Sequence, residues 1–136
     1  MKTLFTVPDD ALAVQYGISG PVWLDKSGII ITVNTGELAH TLEHAKSQIA
    51  AFDKIFRGVQ RPMIVDFTLV KSITRDAREF YANEENSGKL KAMAIVTASS
   101  IGQLVGNFVL RVNGSRIPSR IFTDAGEAKS WIQQYV

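Results

Sequence analysis

The chain of 136 residues and 15.0 kDa has room for one domain and not two, since a core of this size already buries about two thirds of the unfolded surface. A hydrophobic fraction of 46%, a charged fraction of 21% and a mean hydropathy of +0.06 exclude the disordered and membrane-spanning classes. The formal charge is +2, but Lys and Arg are scattered among acids, as in "RDAREFYANEEN" and "TDAGEAKSW", so no basic stripe invites nucleic acid.

Cysteine is absent, which removes disulfides, thiolate nucleophiles and cysteine metal sites and permits a reducing compartment. The opening "MKTLFTVPDD" meets Pro8, Asp9 and Asp10 before the core of a signal peptide forms, so a cytoplasmic location is expected.

Residues 1–20 read as an N-terminal arm or an edge strand, because "ALAVQYG" is short and Gly17 and Gly20 interrupt it; residues 21–136 read as the domain proper. In "PVWLDKSGIIITVN" two apolar runs flank Asp25, Lys26, Ser27 and Gly28, the punctuation of a hairpin. Leu42, Ala45, Ile49, Phe52 and Phe56 then recur at three- and four-residue spacing, which predicts a helix from an N-cap at Thr41 to a stop at Gly58. "PMIVDF" is a continuous apolar run suited to a strand covered on both faces. It enters the polar turn "DFTLVKSIT", and a second helix follows over Thr74–Glu85. "KLKAMAIVT" predicts another buried strand, "SSIGQLVGNFVLRV" a third helix capped by Ser99 or Ser100, and "PSRIFT" a last strand. Asp124 and Glu127 form a variant capping box opening a fourth helix, with Ala128, Trp131, Ile132 and Tyr135 on its apolar side.

Strands alternating with helices place the chain in the α/β class, with a mixed, mostly parallel sheet, an N-terminal antiparallel hairpin and about four helices. Ligands of such sheets sit beyond the carboxyl ends of strands. Two turns fall there. One carries Asp66, Thr68, Ser72, Thr74, Arg75 and Asp76, the other Thr97, Ser99 and Ser100. Both offer hydroxyls and free backbone N–H groups at a helix start, a setting that favours an anion.

The pentapeptide "HTLEH", His40 to His44, matches the H-x-x-E-H pattern of inverted zinc proteases. A zinc site also needs a third ligand and a cleft, and both histidines fall opposite the Leu42, Ile49, Phe56 stripe, so they are expected to face water. No catalytic residue, metal or cofactor is assigned. The third helix is apolar most of the way round: Ile101, Leu104, Val105, Phe108 and Val112 make one face, and Gly102, Gly106, Val109 and Leu110 continue it. One sheet cannot cover that arc. Gly102, Gly106, Val109 and Leu110 are therefore candidates for an interface, unless another part of the chain packs there or an apolar ligand sits beside the glycines.

The order of elements, with the strand-Asp-x-x-x-Val-x-x-Ile-turn-helix pattern at Asp66, Val70 and Ile73, resembles STAS domains of the anti-sigma-factor-antagonist type. The stretch from Trp23 to Trp131, with "LDKSGII", "KSITRDAREF", "GNFVLRVN" and "FTDAGEAKSWI", is similar to uncharacterised bacterial STAS-like proteins, a group compared with CRAL-TRIO lipid carriers. The resemblance implies a STAS-like fold and a binding role without catalysis. Antagonist-type domains carry Asp-Ser-Ser-Gly at the turn, where a serine is phosphorylated by a partner kinase. Here Thr74, Arg75, Asp76 and Ala77 stand instead, so no serine occupies the switch position. Ser72 and Thr74 remain as hydroxyl acceptors, or simply as turn former and N-cap.

Two functions follow as expectations: a regulatory module that associates with a protein partner or with itself as a homodimer, or a carrier or sensor of a lipid-like or anionic small molecule. Neither involves nucleic acid or a membrane span.

Overall fold

The computed structural model describes residues 2–36, 38–113 and 116–136. Its strands are β1 (Ala13–Gly17), β2 (Gly20–Leu24), β3 (Ile30–Val33), β4 (Leu38–His40), β5 (Arg61–Asp66), β6 (Val70–Ile73), β7 (Leu90–Val96) and β8 (Ser119–Phe122). Its helices are α1 (Leu42–Phe56), α2 (Arg75–Ala82), α3 (Glu84–Ser87), α4 (Ser100–Asn113) and α5 (Ala125–Ile132). Six strands form one sheet in the order β1-β2-β3-β5-β7-β8. In it β2 runs antiparallel to both its neighbours, β1 and β3, and β3, β5, β7 and β8 run parallel. This is the expected mixed α/β single domain, and β1 is an edge strand of its sheet.

Local chemistry explains the main boundaries. The β2–β3 hairpin closes because Asp25 Oδ1 accepts from the backbone N–H groups of Ser27 and Ile29, both at 3.0 Å, while Gly28 takes φ +89°. Helix α1 starts at the Thr41 N-cap, whose backbone N–H donates to His44 Nδ1 at 3.0 Å. It stops where Arg57 and Gly58 turn left-handed.

Side chains alternate across the sheet. Ile31, Val33, Ile64, Ala94 and Val96 face one layer, made by α5 and an N-terminal arm that lays Leu4, Phe5 and Val7 on the same cluster. Val22, Ile30, Val65, Met93 and Ile95 face the other, made by α1, α2 and α4. Burial on both faces accounts for the near-continuous apolar runs of β5 and β7.

Three features depart from the expectation. The stretch read as a polar turn contains β6, which pairs in parallel with β4 as a separate two-stranded sheet. The expected second helix is broken at Asn83, whose extended backbone ends α2 and whose side chain accepts from Asn86 N to cap α3. In α1 the buried stripe is Ala45, Gln48, Ala51, Phe52 and Ile55, displaced from the apolar one. Gln48 is drawn inside because its amide bonds Thr32 Oγ1 at 3.2 Å and accepts from Ser19 N at 3.3 Å.

Candidate functional site

The two strand-end turns do come together, but they close on each other. Asp66 is fully buried, and its carboxylate accepts from three backbone N–H groups: Leu4 at 2.6 Å, Phe5 at 3.1 Å and Thr68 at 3.0 Å. It anchors the N-terminal arm to the end of β5. Thr68 Oγ1 accepts from Ala98 N at 3.0 Å, and the Thr68 carbonyl accepts from Ser99 Oγ at 2.9 Å. Thr97, also fully buried, bonds Ser99 through its hydroxyl, and Ser99 Oγ caps α4 by accepting from Gly102 N at 2.9 Å. Asp66, Thr68, Thr97 and Ser99 thus spend their polar atoms on fixing the chain, while Ser100 lies exposed in the first turn of α4.

The remaining candidates stand at the start of α2. Thr74 caps the helix and donates its hydroxyl to Asp76, whose Oδ1 also accepts from Ala77 N at 2.9 Å. Arg75 pairs with Glu79 one turn on at 2.9 Å, both well exposed, and Ser72 is exposed on β6. These residues form a solvated helix start and not a cleft. A serine at the switch position is missing here as it is in the sequence.

Helix α4 is turned relative to the expectation, and the interface assignment is corrected accordingly. Gly102, Val105, Gly106 and Val109 form its buried stripe, and Leu110 is half-buried. A Cβ on Gly102 would stand 2.1 Å from Thr97 Oγ1 and 2.7 Å from the Phe67 carbonyl; one on Gly106 would stand 2.7 Å from Ile121 Cδ1. The small residues face the sheet because they let the helix approach it, and the larger apolar ones are turned outward. Ile101, Leu104 and Phe108 are 49%, 65% and 52% exposed. Only the backbone of Val112 is described. Because the atoms facing Gly102 include backbone, Gly102→Val should destabilise the domain by about 2 kcal/mol or more through overpacking, measured by urea unfolding; unchanged stability would show that the helix can lift from the strands.

The histidines differ from the expectation as well. His40, at the end of β4, is 3% exposed and hydrogen-bonded through Nε2 to the Tyr81 hydroxyl at 2.6 Å. His44 is half-buried, with its ring 5.5 Å from that of His40 and its Nδ1 engaged at the α1 N-cap. Burial first, and the neighbouring His44 second, push the His40 imidazole down to about 4, and burial pushes the Tyr81 phenol up. His40 is therefore neutral near pH 7. Among the described residues no group of three His, Cys, Asp or Glu side chains is placed to hold a metal ion.

His40 and Tyr81 line a cavity of about 90 Å³ between the sheet and α1, with apolar walls that include Val65, Phe67, Met93 and Val109. Its polar lining includes Thr32, Asn34 and Gln48. Gln48 and Thr32 bond each other, but His40 Nδ1 and Asn34 Oδ1, in residues 97% and 98% buried, find no partner among the described residues. Sequence reasoning missed this site. Its polar members come from β3 and the residue after it, β4, α1, α2 and α3, and the one visible signal, His40, sits in a motif that suggests zinc.

A family model described as a domain of unknown function (DUF7793) matches residues 22–136. Among solved structures, an uncharacterised protein of the DUF3478 family from Shewanella loihica PV-4, described as having a SpoIIAA-like fold, matches with a TM-score of 0.54. The two are 11% identical, over 88% of this chain and 90% of that one, so the likeness establishes a STAS-like fold and nothing further. No curated protein matches the chain. No helix among the described residues is long and apolar enough to cross a membrane.

Proposed function

Since the chain belongs to the DUF7793 family, a family defined without a function, we propose from its own surface that it is a non-enzymatic STAS-like binding module acting through protein association, with a second copy of itself as the first partner. One observation carries this: Ile101, Leu104 and Phe108, spaced i, i+3, i+7, make an apolar ridge along the outer side of α4. The guanidinium groups of Arg78 and Arg111 lie 5.5 and 5.6 Å from the Phe108 ring centre, so the ridge has a cationic rim. An apolar centre with a polar rim is the anatomy of a protein interface, and a ridge on one helix can meet its own copy about a two-fold axis.

Burying Leu104 in such an interface contributes roughly 1.5 to 3 kcal/mol. Leu104→Glu should leave the domain folded, because the residue is already mostly exposed, and should weaken association by tenfold or more. Sedimentation and circular dichroism read the two effects separately. A wild-type chain that stays monomeric at high concentration removes the second copy as occupant of the ridge. The cavity behind His40 favours a second reading, the binding of a small molecule, on independent grounds.

A further inference from the structure

We infer that the cavity bounded by His40, Tyr81 and Asn34 is a binding site for an uncharged, ring-sized molecule that carries both a hydrogen-bond acceptor and a donor. Among the described residues, two polar atoms of the lining are left over after the local bonds are made. Gln48, Asn86 and Ser87 also line the space, and each is committed: Gln48 to Thr32 and Ser19, Asn86 to the Phe80 carbonyl at 2.8 Å, and Ser87 to the Asn83 carbonyl at 2.9 Å. His40 Nδ1 and Asn34 Oδ1 are the buried polar side-chain atoms of the lining left without a partner among the described residues. A buried polar atom without a partner costs about 1 to 3 kcal/mol, so each calls for an occupant of the space.

Hydrogen-bond logic gives the occupant's polarity. Among the described residues His40 Nε2 is the hydrogen-bond partner of the buried Tyr81 hydroxyl, and with that hydroxyl donating its proton to Nε2 the neutral ring carries its own proton on Nδ1. Nδ1–H is thus a donor that needs an acceptor, and Asn34 Oδ1 is an acceptor that needs a donor. Among the described residues no Lys, Arg, Asp or Glu lines the cavity, so none of them compensates a charged ligand there. Size follows from volume. One water needs roughly 10 to 15 Å³ on this measure, so about 90 Å³ holds the equivalent of several, close to the bulk of one six-membered ring. The walls of Val65, Phe67, Met93 and Val109 suit an apolar body, as ligand sites generally combine apolar walls with few polar groups. A lipid acyl chain is too large for that space, and a carboxylate or phosphate would bring an uncompensated charge.

The test uses the whole chain and three matched probes, phenol, benzene and benzoate, followed by chemical-shift changes at the His40 ring and at the amides of Gln48 and Phe67. Phenol should give saturable shifts at all three, benzene should bind at least tenfold more weakly, and benzoate should give none at the same concentration. Asn34→Leu should weaken phenol by about tenfold and leave benzene unchanged. If that variant fails to fold, the comparison of probes on the wild-type chain decides alone. Equal binding of phenol and benzene, or no cavity shift with phenol and a long-lived water detected at His40 Nδ1, overturns the inference and makes the polar pair a water-filled structural feature. Neither result depends on whether α4 forms an interface.

Discussion

Asp66→Ala should lower the free energy of unfolding by about 3 kcal/mol and free the N-terminal arm, the largest single-residue effect expected outside the apolar core. The carboxylate is buried and accepts from Leu4 N, Phe5 N and Thr68 N. Hydrogen bonds to a charged acceptor are worth about 1.5 to 3 kcal/mol each, but the contributions do not add, because the arm's two N–H groups regain water once it detaches. Thr68 N stays near the protein and keeps its loss. Detachment also uncovers the cluster on which Leu4, Phe5 and Val7 pack, including Trp23 and Ile64. Urea unfolding reads the stability, and limited proteolysis within residues 2–12 reads the arm. An Asp66→Ala protein with wild-type stability and a protected arm would show that the arm is held by its apolar contacts alone.

That role for Asp66 shows how far the sequence could be read. The alternation of apolar runs with helical periodicity predicts the sheet, its antiparallel start and the helices that cover it, because those signals come from burial, which each segment declares locally. Asp66 was legible as a residue of a strand-end turn, with a ligand as its expected partner, and it accepts instead from Thr68 N within that turn. Its two further donors come from residues 62 and 61 positions away, a pairing that no local pattern announces. The short strands β4 and β6 escaped for a related reason: "LAH" and "VKSI" carry no period of their own and exist because each completes the other. On α4 the periodicity was visible but its phase was not. Apolarity alone favours Leu104 and Phe108 as the inner face, whereas close packing on β8 and on the ends of β5 and β7 selects Gly102 and Gly106. The cavity lay furthest from view, since it depends on which polar groups remain unpaired after every element is in place.

Stability should fall as pH is lowered from about 6.5 to about 4, by an amount approaching 3 kcal/mol. Burial first and the His44 ring second hold the His40 imidazole at about 4 in the folded chain, against 6.5 for the ordinary group. Between those values the unfolded chain binds a proton that the folded one does not, so protons favour unfolding throughout that window. Above pH 6.5 both states are neutral at this position and the contribution is complete; below about 4 both are protonated and the loss levels off. At 1.36 kcal/mol for each pH unit, the interval from 6.5 to about 4 corresponds to about 3 kcal/mol. The ionisable rings facing His40 are those of His44, 5.5 Å away, and Tyr81, 5.6 Å away. Tyr81 stays protonated across the range because burial raises its phenol, so it remains an uncharged partner for Nε2 and brings no negative charge to hold an imidazolium. Urea unfolding from pH 8 to pH 4 should therefore show a positive slope of stability with pH that His40→Gln, which keeps a polar partner for Tyr81, reduces. Carboxylates contribute below about pH 4.5 in both proteins, so the comparison rests on the interval above it. A His40 ring that titrates near 6.5 in the folded chain, followed by its own proton resonances, would show that water reaches Nδ1 and that the cavity is open to bulk solvent.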